Sequence, residues 1–191
     1  MSEFRGVERS RLHFRPAPRV VLLYIHVAHD CSNRTRRHCA LKVVKSAGRY
    51  AETARDEIKL LRQVMDANPS HRGRNHVVSF LDSFDHPGPE DSHICLVFEP
   101  LGENLLALIE RHKKTGVAVD LVKVIAKQML LGLQYLHDEC DLVHTDIKPE
   151  NIMCNDDGSE VRLGDFGLST NSKWSTNFGA GTAGYMSPGT S

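Results

Sequence analysis

The segment from Val143 to Asn151 carries three polar side chains that suit phosphate-transfer chemistry. Asp146 is a potential acceptor of a hydroxyl proton, Lys148 can neutralise a terminal phosphate, and Asn151 can coordinate Mg²⁺ through its amide oxygen. Further along, Asp165 opens an Asp-Phe-Gly triplet and supplies a second metal-binding group. These residue types in this order predict a phosphoryl-transfer site.

Packed elements on both sides must hold this short loop in place. Upstream, Asp120 is the predicted N-cap of a helix that runs to about His137. Downstream, Ile152–Cys154 and Val161–Leu163 flank a turn-rich tetrapeptide, which predicts a β-hairpin. This hairpin would fix the distance between the two candidate metal ligands. The apolar face expected on the helix comprises Leu121, Ile125, Met129, Leu133 and Leu136.

The first half of the chain offers a second candidate pair of charged residues. The segment Cys39–Val44 mixes apolar and β-branched residues around Lys42, as a sheet strand with one functional side chain would. Residues 50–67 have apolar side chains at helical spacing, and Glu57 lies beside that face. Glu52 belongs to the same helix, so the partner of the lysine stays open between the two glutamates.

Other segments predict the remaining elements around these residues. Val20–Ile25 is an apolar run too short to cross a membrane and is expected to form a buried strand. Val77–Leu81 and His93–Phe98 are two further predicted strands, separated by a loop rich in Pro, Gly and Asp. Asn104–Lys114 predicts a short amphipathic helix.

The order and spacing of these segments resemble the protein kinase family. The resemblance rests on the strand lysine, the helix glutamate, the octapeptide His-Thr-Asp-Ile-Lys-Pro-Glu-Asn, the hairpin, Asp-Phe-Gly and the segment 181–188. Within the family, residues 40–47, the helix around Glu57 and the triplet at 144–146 are similar to the SR-protein kinases, which phosphorylate arginine/serine-rich splicing proteins. The implied fold is α+β: a truncated two-lobe kinase fold with a small β-sheet lobe, one helix, and the first part of the helical lobe.

The resemblance implies a serine/threonine protein kinase that uses ATP and Mg²⁺. Asp146 would orient the substrate hydroxyl as a base, and Lys148 would stabilise the transferring phosphoryl group. Asn151 and Asp165 would hold the metal. The expected partner is a protein with Ser or Thr acceptors, such as an arginine/serine-rich splicing protein.

Nucleotide-binding roles follow from the same resemblance. Lys42 would hold the α- and β-phosphates and pair with Glu57. The Glu99 carbonyl and the Leu101 amide would bind adenine from the hinge, and Ala40 would line the same pocket. Phe98 would gate the back of that pocket.

Similarity to the kinase family changes along the chain, and these changes predict the domain boundaries. Residues 1–26 form a divergent basic N-terminal segment, 27–101 a partial N-terminal lobe with the hinge, and 102–191 a partial C-terminal lobe that ends at the activation segment. Residues 7–47 contain no glycine, although the family has a glycine-rich loop over the phosphates there. The expected Ala-Pro-Glu is Ser187-Pro188-Gly189. An alternative is therefore a truncated, non-catalytic binding or scaffold protein.

Composition bounds the partners and the compartment. The 191 residues are 40% hydrophobic and 25% charged, and 24 basic side chains balance 24 acidic ones. No global field would draw the protein to nucleic acid or to an acidic membrane, so neither is an expected partner. Five widely spaced cysteines suit reduced thiols in the cytoplasm or nucleus. A monomer is expected.

Thr145 stands where many kinases have an arginine that pairs with a phosphorylated activation segment. A threonine cannot supply that positive charge. We therefore predict that activity does not depend on phosphorylation of the hydroxyl side chains that follow Asp-Phe-Gly. These residues are Thr170, Ser172, Ser175 and Thr176.

Overall fold

A computed structural model describes residues 26–29, 38–46, 48–88, 91–155, 158–171 and 181–186. The chain divides into two compact units. The first contains the residues up to Ile58 together with Ser79–Pro100, and the second contains Lys59–Val78 and the chain from Leu101 onward. Several sequence predictions lie outside the described residues: the strand at 20–25, the glycine-free region at 30–37, the hairpin turn at 156–157 and the segments 172–180 and 187–191.

A four-stranded antiparallel sheet forms the first unit. Its strands are β1 (His26–His29), β2 (His38–Val43), β3 (Phe80–Pro87) and β4 (Ser92–Phe98), in the order β1-β2-β4-β3 across the sheet. Strand β4 lies inside the sheet, and its residues from Ile94 to Val97 are all buried, which explains their unbroken apolar sequence. A cluster of Cys39, Leu41, Cys95 and Val97 forms the core beneath β2 and β4. Helix α1 (Gly48–Asp66) lies between β2 and β3 in the chain, and from Lys59 onward it belongs to the second unit.

Strands β2 and β4 and helix α1 agree with the sequence prediction to within about two residues at each end. The predicted strand Val77–Leu81 is displaced, because β3 begins only at Phe80. Val77 instead forms an isolated parallel bridge with Leu163, and the Val78 N–H donates to the Leu163 carbonyl over 3.0 Å. These two valines are buried within the second unit, which accounts for their apolar character without a place in the sheet.

Two helices begin the long C-terminal part of the second unit: α2 (Leu105–Arg111) and α3 (Val119–Gln134). The Asn104 side chain caps α2 by accepting a hydrogen bond from the Ala107 N–H over 2.9 Å. On α3, Ile125 and Met129 are buried, as the apolar periodicity predicts.

The predicted start of α3 is displaced by two residues, and its predicted end at about His137 lies in a turn of another helical type. Ala118 occupies the N-cap position, and Asp120 lies in the first turn, where its exposed carboxylate pairs with Lys123 over 3.2 Å. An acidic side chain there still favours the helix through the helix dipole, so the sequence signal was displaced by two residues. At the other end, a π-helical turn at Tyr135–Glu139 follows α3 directly. The Tyr135 hydroxyl donates to the Val64 carbonyl over 2.6 Å and fixes this turn.

Short strands and turns complete the second unit. Four strands form two antiparallel pairs, and the pair between residues 152–154 and 161–163 is the predicted hairpin. The strands are β5 (Leu142–Val143), β6 (Ile152–Cys154), β7 (Val161–Leu163) and β8 (Thr170–Asn171), and the 3-10 turns are Arg72–His76, Pro149–Asn151 and Ala183–Tyr185. In the described part of the chain, no helix is both long enough and apolar enough to span a membrane. The architecture is the predicted α+β arrangement, with one helix beside a small sheet and a more helical second unit.

Candidate active site

The first unit holds an ion pair between Lys42 and Glu57. The lysine ammonium donates to both carboxylate oxygens, over 2.7 and 2.9 Å. Strand alternation explains the position of the lysine, because Leu41 faces the core and its neighbour must face the other side of β2. The glutamate side chain is only 4% exposed and the lysine 14%, so the pair is largely shielded from water. Glu52 is exposed, which leaves Glu57 as the partner.

The predicted adenine-binding residues lie at the end of the sheet and just beyond it. Ala40 of β2 is opposite Phe98 of β4 in the strand register. The Glu99 N–H donates to the Ser79 carbonyl over 3.1 Å, and the Ser79 N–H donates to the Glu99 carboxylate over 2.7 Å. These two bonds fix the chain where β4 ends. Leu101 is the first residue of the second unit after that point, and all adenine-binding roles remain predictions.

In the second unit, the buried side chain of His144 stabilises the loop that contains Asp146, the candidate base. Its Nε2 lies 2.8 Å from the Gly164 carbonyl, and its Nδ1 lies 3.3 Å from the Asp146 backbone nitrogen. A neutral ring that donates from Nε2 and accepts at Nδ1 satisfies both contacts. Burial lowers the pKa of His144, which favours this neutral form. The Phe166 ring packs edge-on at 5.2 Å. No pattern in the sequence predicted this role of His144.

The Asp146 carboxylate is at the centre of a compact hydrogen-bond network. Lys148 Nζ lies 2.8 Å from Asp146 Oδ2, and Asn151 Nδ2 donates to the same oxygen over 3.0 Å. The Thr182 hydroxyl donates to Oδ1 over 2.5 Å and accepts from Lys148 Nζ over 2.8 Å. The four side chains are therefore hydrogen-bonded to one another, and both oxygens of the Asp146 carboxylate accept hydrogen bonds.

This network sets the charge states of its members. Burial raises the pKa of Asp146, but the hydrogen bonds from Lys148 and Thr182 and the charge of Lys148 outweigh it, so the pKa lies below its ordinary value. The hydrogen bond to Asp146 raises the pKa of Lys148. At neutral pH, the site holds an ionised carboxylate beside a charged ammonium. That is the arrangement required of a base and a phosphate-neutralising cation.

Thr182 is the member of this network whose contacts the sequence did not predict. The family resemblance of the segment 181–188 implies that Thr182 lies near the acceptor residue, but nothing in the sequence connects it to Asp146 or Lys148. It follows them at separations of 36 and 34 positions and lies just before a 3-10 turn. No periodic pattern spans such a distance, so only the folded chain reveals the contact.

The two predicted metal ligands are joined through the backbone. The Gly164 N–H donates to the Asn151 carbonyl over 2.8 Å, and Asp165 follows immediately with a positive φ of 57° and an exposed side chain. The Asn151 amide nitrogen donates to the backbone carbonyl and the carboxylate of Asp146, so the amide oxygen is the atom that would coordinate a metal. An amide oxygen and a carboxylate fit Mg²⁺, which proteins usually hold through few ligands together with substrate phosphates.

The hairpin that separates these ligands is anchored from two sides. On α3, Gln128 donates to the Ser159 carbonyl over 2.7 Å and accepts from the Val161 N–H over 2.8 Å. On the other side, Arg162 donates to the Asn75 carbonyl over 3.1 Å. The predicted role of the hairpin as a spacer therefore has a structural basis, because β7 cannot shift without breaking the bonds of Val161 and Arg162.

Comparison with known proteins identifies relatives of the chain. The family described as the protein kinase domain matches residues 25–190. Protein kinase dsk1 of Schizosaccharomyces pombe is 48% identical over 129 residues, which cover 68% of this chain and 23% of that protein. SRSF protein kinase 3 of Homo sapiens is 51% identical over 118 residues, which cover 62% of this chain and 21% of that protein. The chain spans about a fifth of the length of these curated relatives.

A solved structure agrees with this relationship. A crystal structure of a kinase domain matches with a TM-score of 0.70 and 26% sequence identity. The match covers 81% of this chain and 50% of that chain. The predicted kinase fold and the similarity to SR-protein kinases are both confirmed.

Proposed function

Because the chain belongs to the protein kinase domain family, we propose that it transfers the γ-phosphoryl group of ATP to serine or threonine hydroxyls of proteins. The observation that carries this proposal is the contact of Asp146 with both Lys148 and Thr182. It places an ionised carboxylate, a cation and an ordered hydroxyl within hydrogen-bonding distance of one another. Members of the family use ATP and a divalent metal in general.

Asp146 serves in this proposal as the base that orients the acceptor hydroxyl. Its lowered pKa keeps it ionised at neutral pH, so it can accept a hydrogen bond from serine or threonine. Lys148 remains protonated beside it and can offset negative charge on the group being transferred. Thr182 holds both side chains in one geometry, because a single hydroxyl contacts each of them.

The remaining candidate residues bind and orient the nucleotide. The bidentate bond to Glu57 fixes the Lys42 ammonium, which can then contact phosphate oxygens from a set position. Asn151 and Asp165 would hold Mg²⁺, which when bound neutralises phosphate charge. Glu99, Leu101 and Ala40 would contact the base through the hinge and the sheet.

We propose arginine/serine-rich proteins as the substrate class. The support is the similarity to relatives whose names refer to SRSF proteins. A cytoplasmic or nuclear location belongs to the same proposal and rests on the five widely spaced cysteines of the sequence, a pattern that suits reduced thiols. A non-catalytic nucleotide-binding scaffold is the second candidate, favoured by the absence of glycine between residues 7 and 47.

One experiment separates the two candidates. The full chain is given ATP, Mg²⁺ and an arginine/serine repeat peptide, and phosphate on the peptide is located by mass spectrometry. Matched peptides carry tyrosine or alanine in place of serine, and ATP binding is measured in parallel by calorimetry. Phosphate on the serine peptide alone supports the kinase proposal. ATP binding without phosphate on any peptide supports the scaffold and contradicts the kinase.

A further inference from the structure

Thr145 adopts a backbone conformation that is unusual for its side chain. Its φ is 66°, in the left-handed region, where a β-branched residue is a genuine outlier. Such a conformation costs free energy and persists only when the surrounding contacts hold it. The contacts of Thr145 therefore show what holds its backbone in this conformation.

Two hydroxyl groups join the base-bearing loop to the segment just after Asp-Phe-Gly. The Thr145 hydroxyl donates to the Leu168 carbonyl over 2.7 Å. The Ser169 hydroxyl donates to the His144 carbonyl over 3.2 Å. One of these hydrogen bonds is donated by residues 144–145, and the other is donated by residues 168–169. Strand β8 then continues from this point and pairs with β5.

A third contact reaches the segment that carries Thr182. Gly181 packs against Thr145 so closely that an added Cβ would lie 2.8 Å from the Thr145 carbonyl oxygen. Gly181 also has a positive φ of 132°. Thr145 is thus in contact with the chain on both sides: the segment after the metal-binding triplet, and the segment that orients Asp146 and Lys148.

From this geometry we infer that Thr145 is a positioning residue, whose neutral hydroxyl holds the segment after Asp165 against the base-bearing loop. In kinases that need phosphorylation, new arginine–phosphate pairs order the activation loop. Here, a hydroxyl-to-carbonyl hydrogen bond fixes the start of that segment without any added charge. This inference deepens the proposed function and rests on it for its catalytic consequence.

The test uses three variants of the full chain. Thr145→Val removes the hydroxyl and keeps the shape, and Thr145→Ser keeps the hydroxyl. Thr115→Val is the matched control, because Thr115 in the same unit also donates to a backbone carbonyl, but in an exposed turn. Hydrogen exchange of the amides at 168–171 is measured without nucleotide or metal. The Mg²⁺ concentration for half-maximal phosphate transfer is measured separately.

In Thr145→Val, amide exchange at 168–171 should accelerate by about threefold to tenfold, as expected for one lost hydrogen bond near the surface. The Mg²⁺ requirement should rise in the same variant. Thr145→Ser and Thr115→Val should match the unmodified chain. Equal exchange in Thr145→Val and the unmodified chain would overturn the inference, and so would equal acceleration in Thr145→Ser and Thr145→Val. If the unmodified chain transfers no phosphate, the proposed function fails, and the exchange data alone still decide the role of Thr145.

Discussion

Lys148 donates a hydrogen bond to the Thr182 hydroxyl over 2.8 Å, and the same hydroxyl donates to Asp146. This connection joins the loop that contains Asp146 to a residue far along the chain. The uncharged Thr182 hydroxyl forms hydrogen bonds with both the Asp146 carboxylate and the Lys148 ammonium. The hydroxyl can satisfy both because it accepts from one group and donates to the other.

Removing this hydroxyl should lower the rate of phosphate transfer. In Thr182→Val, kcat is expected to fall by about tenfold or more, as for a lost hydrogen bond to a charged group. The pKa of Asp146 should also rise, because Thr182 is one of the donors that lower it. The acid limb of the pH–rate profile should then shift to higher pH. Steady-state kinetics from neutral pH down to below 3.8, the ordinary carboxyl pKa, measures both changes.

Thr182→Ser is the control for this prediction, since it retains the hydroxyl and should keep most of the rate. An unchanged kcat and acid limb in Thr182→Val would show that the hydroxyl does not position the base.

The ion pair of Lys42 and Glu57 should be energetically coupled. A double-mutant cycle of Lys42→Met and Glu57→Gln is expected to give a coupling energy of about 1 to 3 kcal/mol, because the two side chains are in contact and largely buried. Chemical denaturation of the four proteins measures it. Glu52→Gln on the same helix is the matched control and should not couple to Lys42→Met. Additive effects within about 0.3 kcal/mol for the Lys42 and Glu57 substitutions would contradict the prediction.

The turn at Arg72–His76 leaves no space for a side chain at Gly73. A Cβ added there would lie 1.9 Å from the Leu131 carbonyl oxygen on α3. Gly73→Ala must therefore move the turn away from the helix, and should lower the free energy of unfolding by about 2 kcal/mol or more. Gly48→Ala is the control, because no atom lies within 4 Å of a Cβ at that position. Equal midpoints of denaturation for the two variants would be inconsistent with this packing.

The sequence predicted those parts of the molecule that rest on periodic patterns. Helical spacing located α1 and placed Glu57 beside its apolar face, and the apolar and β-branched residues around Lys42 located β2. The positive φ values of Thr145 and Asp165 could not be predicted in this way, because neither residue type favours the left-handed region strongly enough to signal it.

Irregular segments account for the other differences. The predicted strand at 77–81 is apolar because Val77 and Val78 are buried against β7, and an apolar run does not reveal which partner buries it. The Asp120 signal was misleading because an acidic residue suits both the N-cap and the first helical turn. The contacts of Thr182 depend on tertiary structure alone.

His144 should make stability depend on pH. Burial holds its pKa below the ordinary value of 6.5, so the unfolded chain binds a proton there that the folded chain does not. Its stabilising contribution is complete above pH 6.5 and is lost progressively as the pH falls toward the lower, folded-state pKa. The slope is at most about 1.4 kcal/mol per pH unit for one proton.

Denaturation of the unmodified chain and of His144→Phe between pH 7.5 and 5.5 tests this expectation. The variant keeps a ring beside Phe166 but cannot take up a proton, so its stability should fall less steeply with decreasing pH. Parallel curves for the two proteins would mean that His144 protonates equally in both states.

The role of Asp146 as the base can be tested by transfer of labelled γ-phosphate from ATP to serine in an arginine/serine peptide, with the full chain and Asp146→Asn side by side. The substitution keeps the size of the side chain and removes its negative charge. We expect labelled serine with the unmodified chain, and a rate lower by about a hundredfold or more in the variant, in line with the loss of a general base. Equal labelling by the two proteins, or none by either, would contradict the assignment of Asp146 as the base of a phosphoryl-transfer site.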